Sequence, residues 1–170
     1  MSETLEPALP DHLDAQAERL MRKICDREIK LATAESCTGG MLAALLTDIE
    51  GCGHGFDRGF VTYSKDAKHE LLGIDRNLLD RNEAVSEVVA RAMAEGALAR
   101  STADVAIAVT GFAGPAGEGC EEGLVHFALA RRGESTTHRE EHFGAAGRGA
   151  IRVESLKVML EMLERAVEQA

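Results

Sequence analysis

Residues 31–40 read Leu-Ala-Thr-Ala-Glu-Ser-Cys-Thr-Gly-Gly, and this stretch decides the fold, because a short apolar run stops abruptly at hydroxyl, thiol and glycine groups. The pattern predicts a strand over residues 29–34 that leads into a helix over residues 41–49. The first backbone N–H groups of a helix have no partner within it, so we expect them to face whatever binds beside Ser36. A nucleophile and an anion site would then share one turn.

The same turn has a simpler interpretation. One of Ser36, Cys37 and Thr38 caps the following helix, while Gly39 and Gly40 allow it to pack closely on the sheet. The local pattern does not separate this interpretation from a catalytic one.

A second cluster of reactive side chains follows the next predicted strand, which spans residues 59–63. Tyr63, Lys65 and Lys68 lie at and just after its end, and all three carry groups suited to proton transfer. Two strands that both end in such residues indicate a single site.

Composition limits the classes of function. A chain of 170 residues fits one domain, which we expect over residues 11–170 after a flexible N-terminal segment at residues 1–10. The net charge of -10 disfavours direct binding to nucleic acid or to an anionic membrane. The four cysteines lack CxxC spacing and no apolar run approaches ~20 residues, so we expect reduced thiols and a cytoplasmic location.

Helical and strand patterns alternate along the chain. Apolar spacing predicts helices over residues 11–26, 64–72, 75–81 and 148–168 and a longer helix that starts at Ser86, with Asp11, Ser64, Asp75 and Ser86 as caps. Further strands are predicted over residues 105–110, 124–131 and 135–143, the last two forming a hairpin. This order predicts an α/β protein of the three-layer sandwich type, with a mixed parallel and antiparallel sheet covered by helices.

Four ordered motifs carry a resemblance to a known family. They are residues 33–40 (Thr-Ala-Glu-Ser-Cys-Thr-Gly-Gly), 58–64 (Arg-Gly-Phe-Val-Thr-Tyr-Ser), 84–86 (Ala-Val-Ser) and 109–115 (Val-Thr-Gly-Phe-Ala-Gly-Pro). With them the chain resembles the CinA carboxy-terminal domain family, also described as the PncC or nicotinamide mononucleotide amidohydrolase family. The likeness extends from about residue 13 to residue 166 and implies a stand-alone form.

The resemblance implies hydrolysis of the carboxamide of nicotinamide mononucleotide to nicotinic acid mononucleotide and ammonia, without a metal or other cofactor. It implies that Ser36 is the nucleophile, that Lys68 and Tyr63 transfer protons, that Thr110 lies near the reacting amide and that Arg148 points toward the phosphate. A lysine base needs its pKa lowered by burial or nearby positive charge.

Backbone groups are expected to complete the binding site. The amides of the turn formed by Cys37, Thr38, Gly39 and Gly40 are natural oxyanion donors. Gly111 and Gly114 allow backbone N–H groups to approach the phosphate or the pyridine ring, a weak signal because the spacing matches no nucleotide-binding fingerprint. Cys37 remains a rival nucleophile on the same turn.

The chain also departs from the family pattern. No Lys-Pro pair precedes the hairpin strand, where this chain has Glu121 and Glu122, and Gly147 stands where an Asp is expected before Arg148. With Glu118, these acidic residues would repel a phosphate if they faced the pocket. The departures motivate a second hypothesis, a non-catalytic module that senses a nucleotide or binds a partner protein. Deamidation of another small carboxamide is a third.

Two further expectations concern assembly and metals. Val88, Val89, Ala92, Met93 and Gly96 form an apolar stripe on one predicted helix, and such a face, with the resemblance, indicates a homo-oligomer. The histidines lack the spacing of a zinc site, although His138 and His142 would share one side of a strand.

Overall fold

The structure, a computed structural model, describes residues 9–169. The flexible segment expected over residues 1–10 therefore lies mostly outside the described residues, and of its last two residues Leu9 is buried against the core. In chain order the elements are α1 (Asp11–Asp26), β1 (Leu31–Glu35), α2 (Met41–Thr47), β2 (Phe56–Val61), α3 (Lys65–Leu72), α4 (Arg76–Arg81), α5 (Glu87–Ala99), β3 (Val105–Gly111), β4 (Leu124–Arg131), β5 (Thr137–His142) and α6 (Arg148–Glu168).

Five strands form one sheet in the order β2-β1-β3-β4-β5. The first three strands of that order are parallel, and β4 and β5 are antiparallel additions on one side. The predicted mixed sheet is therefore confirmed. Because β1, β2 and β3 run the same way, their carboxyl ends meet at one edge of the sheet, which is where ligands bind in open α/β sheets.

The two faces of the sheet are covered by different helices. On β3, Val105, Ile107 and Val109 belong to the core shared with α1, α2 and α6, whereas Ala106 and Ala108 belong to the core shared with α3, α4 and α5. Strand alternation produces this division, and the small alanines let α5 approach the sheet closely. The result is the predicted three-layer sandwich.

Several predicted helix ends are confirmed. Ser64 accepts a hydrogen bond from the N–H of Ala67, and Ser86 accepts one from the N–H of Val89, so both cap their helices. Asp75 likewise accepts from the N–H of the residue two positions later. The prediction for Asp11 is wrong: it is the first residue of α1, and Pro10 holds the cap position without a side-chain hydrogen bond.

Two other details differ from the sequence prediction. Strand β2 begins at Phe56, three residues before the predicted start, because its pairing with β1 extends to Leu31. Val88 is 45% exposed, whereas Val89 and Met93 are buried against the sheet. The helix face offered as a reason for oligomerisation is thus largely covered within the chain. No helix among residues 9–169 combines the length and the apolarity needed to cross a membrane.

Candidate active site

Ser36 and Lys68 meet at the carboxyl edge of the parallel strands. Ser36 directly follows β1, and Lys68 lies in the first turns of α3, which follows the neighbouring strand β2. The Lys68 Nζ atom lies 3.0 Å from Ser36 Oγ and donates to the Thr62 carbonyl at 2.8 Å. The two reactive groups predicted from separate motifs are therefore within hydrogen-bond distance.

Burial sets the protonation behaviour of the lysine. Lys68 is 1% exposed, and its burial lowers the pKa of the ammonium from the ordinary 10.5 to about 8. The nearby Cys37 thiol acts in the opposite direction but more weakly. A buried amine with a lowered pKa can be neutral near physiological pH, as a general base requires. Lys65, by contrast, is exposed and faces Asp80 at 3.9 Å.

Cys37 is a poor rival nucleophile here. Burial is the main cause that raises the pKa of its thiol to about 12. Because the thiolate is the reactive form of cysteine, such a shift suppresses its nucleophilicity.

The helix amides that we expected to face a ligand are already occupied. The Glu35 carboxylate, which sequence reasoning did not single out, accepts hydrogen bonds from the backbone N–H groups of Gly40, Leu42 and Ala43. The expectation of free N–H groups in the first turn of α2 is therefore wrong. The capping interpretation of Ser36, Cys37 and Thr38 is wrong as well, since Gly40 holds the cap position without a side-chain hydrogen bond.

The turn before α2 is compact. Gly39 and Gly40 adopt φ values of 63° and 94°, a region that favours glycine. The buried Thr38 hydroxyl donates to Glu35 at 2.6 Å.

The backbone N–H groups of Cys37 and Thr38 donate to no backbone carbonyl of the described residues. Of the four turn residues predicted to bind substrate, only Cys37 lines the adjoining pocket.

That pocket has a volume of about 260 Å³ and opens beside the Ser36–Lys68 pair. Thr110, Gly111 and Gly114, all predicted from the sequence, contribute to its wall. The lining residues are Ser36, Cys37, Tyr63, Lys68, Ala84, Val85, Thr110, Gly111, Phe112, Ala113, Gly114, Pro115 and Arg148.

Thr110 and Arg148 occupy opposite kinds of environment within the pocket wall. Thr110 is buried, and its hydroxyl donates to the Ala84 carbonyl at 2.8 Å, so it fixes the loop before α5. Arg148 is exposed, and a Cβ atom on Gly114 would come within 2.9 Å of its guanidinium. None of the ion pairs formed among residues 9–169 involves Arg148, so its charge is available to an anion.

Tyr63 lies at the rim of the pocket rather than beside the lysine. It is 75% exposed, and Lys68 is held by the Thr62 carbonyl instead. Tyr63 therefore does not hold the lysine in place, and its role in proton transfer stays a prediction.

The residues that depart from the family pattern do not line the pocket in the described chain. Glu121 binds His142 at the end of β5, with a distance of 2.8 Å. Within the described chain, Glu118, Glu121 and Glu122 are not among the pocket-lining residues, and neither is Gly147.

Two histidines of neighbouring strands, His126 and His138, lie against each other. His126 Nδ1 lies 3.1 Å from His138 Nε2, and Glu140 approaches both His126 and His142. Residues 9–169 contain no group of three or more His, Cys, Asp or Glu side chains arranged to hold a metal ion.

Comparison with known proteins gives a consistent result. The family model of the CinA C-terminal domain matches residues 13–167. The nicotinamide-nucleotide amidohydrolase PncC of Escherichia coli is 43% identical over 151 residues, covering 86% of this chain and 90% of that protein. A putative competence-damage inducible protein of Symbiobacterium thermophilum is 56% identical over 114 residues, which cover 66% of this chain.

Many relatives are much longer. The chain spans 27% of the Symbiobacterium protein and between 23% and 34% of four further relatives. Among solved structures, the competence/damage inducible protein CihA of Agrobacterium tumefaciens matches with a TM-score of 0.90 and 41% identity, covering 99% of both chains.

Proposed function

The chain belongs to the CinA C-terminal domain family, and from that premise we propose that it is an amidohydrolase which converts nicotinamide mononucleotide to nicotinic acid mononucleotide and ammonia. The observation that carries the proposal is the 3.0 Å contact between Ser36 Oγ and the buried Lys68 Nζ inside the pocket. The similarity to the E. coli amidohydrolase PncC supports the substrate class.

In the proposed first step Lys68 acts as general base. Its neutral amine takes the proton of the Ser36 hydroxyl while the serine oxygen attacks the carboxamide carbon, and the Thr62 carbonyl keeps the amine oriented. The protonated lysine then gives the proton to the amide nitrogen, the carbon–nitrogen bond breaks and ammonia leaves. An acyl-serine remains. Lys68 next takes a proton from water, the water oxygen attacks the acyl carbon, and the bond to Ser36 breaks as Lys68 returns the proton to the serine oxygen.

The oxyanion of each tetrahedral intermediate needs hydrogen-bond donors. The N–H groups of Cys37 and Thr38 follow the nucleophile directly and are not used by a described backbone carbonyl. We assign the oxyanion to these two groups, since the amides at the start of α2 are occupied by Glu35.

The rest of the pocket suits a nucleotide with a small aromatic ring. Arg148 offers an unpaired guanidinium to the phosphate, and the absence of a side chain at Gly114 leaves room for that guanidinium in the pocket wall. Thr110 shapes the wall nearest the amide by holding Ala84. Tyr63 at the rim would contact the bound substrate and exchange protons with solvent.

The proposal is tested by measuring ammonia and acid product with nicotinamide mononucleotide for wild type, Ser36→Ala and Lys68→Met. Both variants should lose at least about 100-fold in kcat. Lys65→Met is the matched control, because Lys65 lies on the same helix but is exposed, and it should keep wild-type activity. If Ser36→Ala turns over as fast as wild type, the mechanism is refuted.

The second hypothesis, a sensing or partner-binding module, predicts nucleotide binding without turnover. The acidic residues that motivated it do not line the pocket in the described chain, so the enzymatic proposal is preferred. Calorimetry beside the ammonia assay separates the two. A panel of small carboxamides tests the third hypothesis, deamidation of a different substrate.

We further propose that residues 11–170 act as a single domain, in the cytoplasm, without nucleic acid, membrane or cofactor, and as a homo-oligomer. Light scattering that gives a monomer at micromolar concentration would refute the last point.

A further inference from the structure

A buried carboxylate supports the turn that carries the proposed nucleophile. Glu35 is 1% exposed, and its two oxygens accept four hydrogen bonds. The donors are Thr38 Oγ1 at 2.6 Å, the N–H of Gly40 at 3.1 Å, the N–H of Leu42 at 3.1 Å and the N–H of Ala43 at 2.8 Å. Burying a carboxylate is costly unless such donors surround it, so the turn and the first turn of α2 are tied to this one side chain.

An arginine supports the same turn through a backbone carbonyl. Arg152 of α6 donates from Nη2 to the Thr38 carbonyl at 2.6 Å, and a Cβ atom on Gly39 would come within 3.3 Å of it. Its Nε is buried without a hydrogen-bond partner, and no ion pair among residues 9–169 involves it. The guanidinium is therefore directed at the backbone of the turn.

Thr38 is consequently fixed at two points. Glu35 holds its hydroxyl and Arg152 holds its carbonyl, which leaves the peptide plane after Thr38 little freedom to rotate. Ser36 lies two residues earlier on the same short turn. A shift of about 1 Å in such a turn is enough to misplace a reacting group and cost about 100-fold in rate.

We propose that Glu35 and Arg152 are positioning residues, which hold the 36–40 turn so that Ser36 stays against Lys68 and the N–H groups of Cys37 and Thr38 stay directed at the oxyanion. This inference rests on the proposed function. Neither residue lines the pocket among the described residues, and both contact the turn itself through Thr38.

A purely structural role predicts something different. If Glu35 only caps α2, its replacement lowers the stability of the fold and leaves the activity per folded molecule unchanged. Positioning instead lowers kcat at constant KM. The two roles are separated by normalising activity to the folded fraction.

The experiment compares wild type, Glu35→Gln, Arg152→Met and Arg152→Lys in two assays. The first measures kcat and KM for nicotinamide mononucleotide. The second measures the rate at which phenylmethanesulfonyl fluoride labels Ser36, where the serine oxygen forms a bond to sulfur, the sulfur–fluorine bond breaks, Lys68 takes the proton and fluoride leaves. Labelling reports the reactivity of the serine without the nucleotide.

We expect Glu35→Gln to lose about 100-fold and Arg152→Met about 10-fold in both kcat and labelling rate, with KM within about twofold. Arg152→Lys should recover part of the loss, because its ammonium can still donate to the Thr38 carbonyl. Arg165→Met is the matched control on the same helix, since Arg165 is exposed and lies far along α6, and it should behave as wild type.

The outcomes separate this inference from the proposed function. Labelling rates within twofold of wild type in Glu35→Gln and Arg152→Met overturn the positioning role, whatever the nucleotide assay gives. If the wild type is labelled at Ser36 but does not hydrolyse nicotinamide mononucleotide, only the proposed substrate is overturned. The labelling rates of the variants then still test the positioning role. Wild type that is neither labelled nor active overturns both. If Glu35→Gln does not fold, the labelling rates of Arg152→Met and Arg152→Lys test the positioning role.

Discussion

Lowering the pH is the perturbation that tests the lysine most directly. Lys68 is a base only when its amine is neutral, and burial lowers its pKa from 10.5 to about 8. At pH 7 a pKa of about 8 leaves ~9% of the amine neutral, whereas the ordinary value would leave only ~0.03%. Burial therefore enriches the active form about 300-fold at neutral pH.

The assay is kcat/KM for nicotinamide mononucleotide by ammonia release, from about pH 6 to about pH 9.5. Below the pKa of Lys68 the rate constant should rise about tenfold per pH unit, and it should level off above pH ~8. Lys68→Arg keeps a cation of similar length that cannot be deprotonated, so it should lose at least about 100-fold at every pH.

Circular dichroism at each pH controls for unfolding. The reasoning is refuted if kcat/KM is independent of pH across that range, or if Lys68→Arg shows the same acidic limb as wild type.

Three other substitutions give distinct outcomes. Arg148→Ala should raise KM at least about 10-fold and leave kcat within about threefold, because it removes an unpaired cation from the pocket wall without touching the Ser36–Lys68 pair. Cys37→Ala should keep activity within about threefold in the ammonia assay, since burial raises the pKa of that thiol to about 12. Gly96→Ala should lower the free energy of unfolding in urea by about 2 kcal/mol, because its Cβ atom would lie 2.4 Å from the Leu72 carbonyl oxygen.

Strand and helix periodicity predicted most of the fold. The order of predicted helices and strands, with the closing hairpin, was sufficient to predict a mixed sheet covered by helices, and the caps at Ser64 and Ser86 were placed correctly. The start of β2 was missed, because Phe56, Asp57 and Arg58 show no regular alternation and their pairing with β1 is a tertiary interaction.

For the site, sequence reasoning located the residues but not all of their contacts. Ser36 and Lys68 were predicted to share one site because each follows a predicted strand that ends in reactive side chains. The role of Glu35 was missed, although a carboxylate at the end of an apolar run, just before a helix start, was a usable signal. The exposure of Tyr63 was not predictable, because it depends on which side of the strand end faces α3.

The contact between Arg152 and Thr38 could not be predicted from the sequence either. Arg152 lies 114 positions from Thr38 in sequence, and its spacing within α6 is that of an ordinary surface residue of an amphipathic helix. Only the packing of α6 beside α2 brings its guanidinium to the nucleophile turn.

The buried lysine also ties folding to proton release. The pKa of Lys68 is ~10.5 in the unfolded chain and about 8 in the native chain. Between these pH values the unfolded state therefore binds more protons than the native state. Burial of Lys68 therefore lowers the free energy of unfolding by its full amount below pH ~8, and this destabilisation disappears above pH ~10.5. Lys68→Met should melt at a higher temperature than wild type at pH 7, and this advantage should shrink in alkaline buffer, as calorimetric melting of both proteins would reveal. The burial that makes Lys68 a base at neutral pH thus also makes the folded protein less stable there.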